Sequence, residues 1–64
     1  MVKINGELSM SEGMVLAEYL QQNGYDTKRI AVEKNGEIVP KSQYEVTVLQ
    51  ENDSLEIVSF VGGG

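Results

Sequence analysis

The spacing of apolar positions changes several times along this chain, and each change marks an element. Val2, Lys3, Ile4 and Asn5 alternate apolar and polar, the period of a half-buried strand. Asn5-Gly6 follows, a pair suited to a tight hairpin turn. Glu7, Leu8, Ser9 and Met10 alternate again. The pattern predicts an opening hairpin with Val2, Ile4, Leu8 and Met10 turned inward. Ser11-Glu12-Gly13 interrupts it. From Met14 to Asn23 the spacing lengthens to three and four residues, placing Leu16, Tyr19 and Leu20, with Val15 beside them, on one helical face. Glu18, Gln21 and Gln22 lie off that face. Asn23-Gly24 is a helix stop, because glycine accepts the left-handed backbone of a helix C-terminus. Asp26 to Arg29 reads as a polar loop.

Strand spacing then returns. Ile30 to Lys34 is a strand, Asn35-Gly36 a second tight turn, and Glu37 to Val39 a short strand. Pro40 ends it by removing a ladder donor. Lys41 to Tyr44 fits one helical turn, and Glu45 to Gln50 reads as mixed strand and loop. Glu51 to Asp53 is a polar turn before the last strand, Leu55 to Phe60. The order is β-β-α-β-β-β. Two hairpins bury little by themselves, and one helix can cover one face of a sheet. The expectation is an α+β domain, a mixed sheet of four to five strands packed on one helix. Its core would hold Ile4, Leu8, Leu16, Leu20, Ile30, Val32, Leu49, Leu55 and Ile57. If Leu55 and Ile57 face the helix, alternation sends Glu56, Val58 and Phe60 to the other face. Val58 and Phe60 are then apolar groups in water, the kind of patch that marks a contact surface.

Composition narrows the chemistry. The chain has 64 residues, so a single domain is expected. It has no Cys and no His, which removes disulfides, thiolate nucleophiles, sulfur or imidazole metal ligands and the usual triad base. The net charge is −5, which disfavours nucleic acid and suits a basic protein partner. MVKING lacks the apolar run of a signal peptide, and no stretch is apolar enough to cross a bilayer. The expected address is the cytoplasm, and the expected free state a monomer. Glu51 and Asp53 read as solvated carboxylates, Met10 and Met14 as core filler, and Lys3, Lys28, Lys34 and Lys41 as surface residues. Asn35 and Gly36 read as structural, because the turn demands them.

The chain ends FVGGG. Gly62, Gly63 and Gly64 have no side chains to pack, and a tract of glycine is expected to be mobile. Such a tail is slim enough to thread a narrow channel and present its carboxylate there. An α-carboxyl group has a pKa near ~3.5, so it is ionised at neutral pH and attacks the α-phosphorus of ATP. Adenylation then makes the carbonyl electrophilic toward a sulfur donor. The tail is suited to being a substrate.

Asn35 to Pro40 (NGEIVP), the KSQY that follows, and the ending LEIVSFVGGG resemble the sulfur carrier proteins of thiamine biosynthesis. These are small ubiquitin-like proteins of the β-grasp fold, and the resemblance covers the whole chain. One departure is Asn52-Asp53 where a Gly-Asp turn is usual; asparagine tolerates that left-handed turn. The resemblance implies a protein co-substrate, not an enzyme, with no cofactor of its own. An adenylyltransferase of the ubiquitin-activator type would use ATP and magnesium to adenylate Gly64. A donor such as a cysteine desulfurase would supply sulfur, leaving a thiocarboxylate for thiazole synthase. Carried over by position, Gly64 bears the sulfur, Gly62 and Gly63 thread the partner's channel, and Val58, Phe60 and Val61 dock. A carrier of the molybdopterin synthase small-subunit type, or a ubiquitin-fold module acting without covalent chemistry, are the alternative readings.

Overall fold

The computed structural model describes residues 1–60. Strand β1 (Val2–Ile4) and strand β2 (Glu7–Ser9) form the opening hairpin, followed by helix α1 (Leu16–Gln22). Strands β3 (Ile30–Lys34) and β4 (Glu37–Val39) form a second hairpin, and β5 (Ser54–Ser59) ends the sheet-forming part. Short 3-10 turns lie at Thr27–Arg29 and Lys41–Gln43. The five strands make one sheet in the order β2-β1-β5-β3-β4. β1 and β5 run parallel and the other neighbours antiparallel. This is the β-grasp arrangement, with the last strand inserted between two hairpins.

Both hairpins turn on Asn-Gly. Asn5 and Gly6 have φ of 50° and 85°, and Asn35 and Gly36 have 54° and 87°. Positive φ at both central residues is the twist that lets two-residue turns match twisted strands. Asn52, the departure in the last turn, also takes a left-handed φ of 71°.

The helix begins two residues later than its spacing predicts, at Leu16. Its first amides are bonded by the loop that returns beneath it: Leu16 N–H donates to Thr47 O at 2.7 Å and Ala17 N–H to Tyr44 O at 2.9 Å. The stop at Asn23-Gly24 is as expected. Gly24 has φ of 77°; its N–H donates to Gln21 O at 3.2 Å, and Tyr25 N–H to Leu20 O at 3.0 Å. That bond pair is a Schellman motif, which closes the helix and folds Tyr25 back onto it.

The core lies between α1 and one face of the sheet. Val2, Ile4, Leu16, Leu20, Ile30, Val32, Leu49, Leu55 and Ile57 are all buried there. Val39 and Tyr44 join them. Two expected core residues do not. Leu8 is 68% exposed and Met10 80% exposed. The turn decides this: a two-residue loop pairs Ile4 with Glu7, so Leu8 stands opposite Lys3 on the outer face. Glu45 to Gln50 contributes no strand, only a bridge from Val48 to Val15. Among the described residues, no helix is long and apolar enough to cross a membrane.

Candidate functional site at the end of the central strand

β5 is the strand that leads to the glycine tail, and its placement is held from both sides. On one side Asn5 bridges to it: the Ile57 N–H donates to Asn5 Oδ1 at 2.7 Å, and Asn5 Nδ2 donates to Ile57 O at 3.2 Å. On the other side the Ser54 N–H donates to Asn35 Oδ1 at 2.9 Å. Each asparagine therefore serves twice. It accepts the turn's positive φ, and its amide extends hydrogen bonding onto the neighbouring strand.

Asn35 also anchors the turn before β5. Its Nδ2 donates to Asp53 Oδ1 at 3.0 Å, and the Gln50 N–H donates to Asp53 Oδ2 at 2.9 Å. Lys34 Nζ lies 4.0 Å from the same carboxylate. Asp53 is buried, against the expectation of a solvated group. Burial acts to raise its pKa, but the bonds from Asn35 and Gln50 and the charge of Lys34 outweigh it and hold the pKa below the usual carboxylate value. Glu51 pairs instead with the Met1 amino group. The two acids are thus separated into different structural contacts, and the described residues contain no group of three or more acidic side chains arranged to hold a metal.

The outer face of the sheet carries the expected contact residues. Val58 is 53% exposed and Phe60 54% exposed. Val58 lies opposite Ala31 in the β3–β5 ladder. Phe60 N–H donates to Arg29 O at 2.7 Å, which carries the pairing one residue beyond the strand. Ile38 of β4 is exposed and stands opposite Glu33, which itself stands opposite Glu56. Like charges facing across a strand pair are mutually destabilising. The face therefore combines an apolar end, at Val58 and Phe60, with a two-glutamate centre that attracts cations. Sequence alternation located Val58 and Phe60. It did not locate Ile38, because a three-residue strand offers too little alternation to assign a face. Val61, Gly62, Gly63 and Gly64 lie outside the described residues.

The model of the ThiS family matches this chain over residues 1–64. The sulfur carrier protein ThiS of Bacillus subtilis is 44% identical over 50 residues, covering 78% of this chain and 70% of that protein. The sulfur carrier protein ThiS of Thermus thermophilus is 34% identical over 64 residues and covers 100% of both chains. Thiazole synthase of Paramagnetospirillum magneticum is 47% identical over 62 residues, which is 95% of this chain and 19% of that protein. This chain thus spans about a fifth of the length of the thiazole synthases it matches. The crystal structure of the thiamine biosynthesis protein ThiS of Geobacter metallireducens superposes with a TM-score of 0.78 at 25% identity, covering 98% of this chain and 97% of that one. A sheet ordered β2-β1-β5-β3-β4 over one helix, a family match along the full length and near-complete overlap with ThiS proteins lead to one assignment: the chain belongs to the ThiS family.

Proposed function

We propose that this protein is a sulfur carrier of thiamine biosynthesis, a protein co-substrate whose Gly64 carboxylate carries the sulfur. The full-length likeness to sulfur carrier proteins is the observation that carries this reading. A partner adenylyltransferase, with ATP and magnesium, forms an acyl adenylate at Gly64 and releases pyrophosphate. A sulfur donor, such as one fed by a cysteine desulfurase, attacks the acyl carbon and AMP leaves. The donor's terminal sulfur is now bonded to the Gly64 carbonyl carbon as an acyl disulfide. A thiol attacks the donor-side sulfur, the S–S bond breaks, and the thiol and donor sulfur form a disulfide. Gly64 is released as a thiocarboxylate, anionic and nucleophilic at neutral pH. The recipient is thiazole synthase, a reading supported by the thiazole synthases that contain a segment like this chain.

In this mechanism the domain positions and the tail reacts. Gly62 and Gly63 thread the active site of the partner. Without a Cβ they crowd neither the channel nor the attacking group. Val58, Phe60 and Val61 dock; the exposure of Val58 and Phe60 supports their part. The Glu33–Glu56 pair favours a basic rim on that partner.

The test is the intact mass of the protein after incubation with an adenylyltransferase of the ubiquitin-activator type, ATP, magnesium and a sulfur donor. The expected result is a gain equal to replacing one oxygen by sulfur, mapped to Gly64. No gain, from an enzyme active on another carrier, would leave a ubiquitin-fold module that binds without covalent chemistry. If sulfur loads but thiazole synthase does not accept it, a recipient of the molybdopterin synthase type is indicated.

A further inference from the structure

A cavity of about 380 Å³ opens between β2 and the C-terminal end of α1, on the helix side of the sheet. Glu7, Tyr19, Asn23 and Tyr25 line it, with Ile4 and Asn5 contributing to the wall. Val58 and Phe60 do not line it.

Its chemistry is one-sided. Its polar lining is a carboxylate, two phenols, the Ser9 hydroxyl and the side-chain amides of Asn5 and Asn23, and none of the five cationic residues of the chain lines it. Lys3, on the adjoining strand, lies between the buried Val2 and Ile4 and so projects to the opposite face. Asn23 Nδ2 is committed to Tyr19 O at 2.9 Å, which leaves the Asn23 side-chain oxygen as an acceptor. Tyr19 and Tyr25 are packed against the core, and the Schellman motif fixes Tyr25, so the aromatic walls are held in place. Burial raises the Tyr19 phenol, and Tyr25 and Glu7 raise it further, in keeping with acidic groups gathered without a neutralising cation.

We propose that this cavity receives the arginine side chain of a protein partner. A guanidinium is flat, has five N–H donors in a fixed fork and stacks on aromatic faces. It matches acceptors spread around two tyrosines better than a compact ammonium does. The location argues for a partner protein as its source. Asn5 in the cavity wall is bonded directly to Ile57, three residues before the last described residue, so the cavity wall adjoins the strand that leads out of the sheet. A protein that grips the outgoing strand reaches the cavity from the same side. The chain's net charge of −5 favours such a cationic anchor.

The experiment is a titration of the isotope-labelled protein with N-acetyl-arginine amide, followed by amide chemical shifts. Saturable shifts confined to Glu7, Tyr19, Asn23, Tyr25 and their neighbours are expected. Arginine should bind at least about threefold more tightly than N-acetyl-lysine amide, and Glu7→Gln should weaken binding by at least about threefold while leaving the spectrum folded. Tyr25→Leu, which keeps an apolar residue on the core, should weaken arginine more than lysine. Diffuse shifts over the acidic surface, no saturation, or equal response of wild type and Glu7→Gln would overturn the proposal. Much tighter binding of free arginine than of the blocked amide would overturn the partner assignment, because it would mark a small-molecule site.

Discussion

Two asparagines illustrate how a residue chosen for backbone conformation acquires a second task. A turn alone asks only for positive φ, which glycine supplies more readily. Asn35 also bonds Ser54 and Asp53 through its amide. Asn35→Gly keeps the turn and removes both bonds, so it should cost about 1–3 kcal/mol in urea unfolding. A neutral result would mean that φ alone selects the residue. Asp53 sets a pH dependence. Its folded pKa is depressed from the ordinary 3.8, so its contribution is present above that value and lost as pH falls through the lower folded pKa. The stability difference between wild type and Asp53→Asn should therefore be constant at neutral pH and narrow below about pH 4. A flat difference down to pH 2 would refute the role. None of this was legible in the sequence, where Asn35 is a turn former and Asp53 one acid in a polar turn. Their bonds join residues 18 and 19 positions apart, which local pattern does not reach.

At the level of elements, the strand and helix order was legible because period, turn residues and stops agreed. The inward face of β2 was not. Alternation of Glu7, Leu8, Ser9 and Met10 is compatible with either face, and a shift of one residue exchanges the two. The Asn5-Gly6 turn holds the answer, since it places Leu8 opposite Lys3. Val39 was missed because it stands beside Ile38 in a strand too short for alternation to choose which of the two faces the core, and Tyr44 because it is an apolar residue between Gln43 and Glu45 outside any periodic strand or helix pattern. The order of strands within the sheet was not legible in any pattern of the chain, because it is set by pairings between distant segments. Leu8→Ala should change stability by less than about 0.5 kcal/mol. Leu20→Ala, in a fully buried helix position, should cost about 2–5 kcal/mol. Comparable losses from both would restore Leu8 to the core. Phe60→Ala should leave the free protein folded and weaken its binding to the adenylyltransferase by more than about 1 kcal/mol, roughly fivefold. Unfolding of that variant would assign Phe60 to the core instead.

For the whole molecule, charge sets how it meets others and topology sets how it answers when held. With a net charge of −5, association with a basic partner should slow as salt rises, because exposed charges are screened beyond about 10 Å at 0.1 M. Stopped-flow rates that stay flat with ionic strength would rule out steering. The parallel pairing of β1 with β5 has a mechanical consequence. Traction on the outgoing strand, opposed at the start of β1, would load the two strands along their length in shear. Shear makes neighbouring bonds share the force, where peeling would break them one by one. The bridge from Asn5 to Ile57 and the ladder from β3 add load-bearing links on both flanks. A partner that pulled on the outgoing strand would meet a stiff anchor in the sheet.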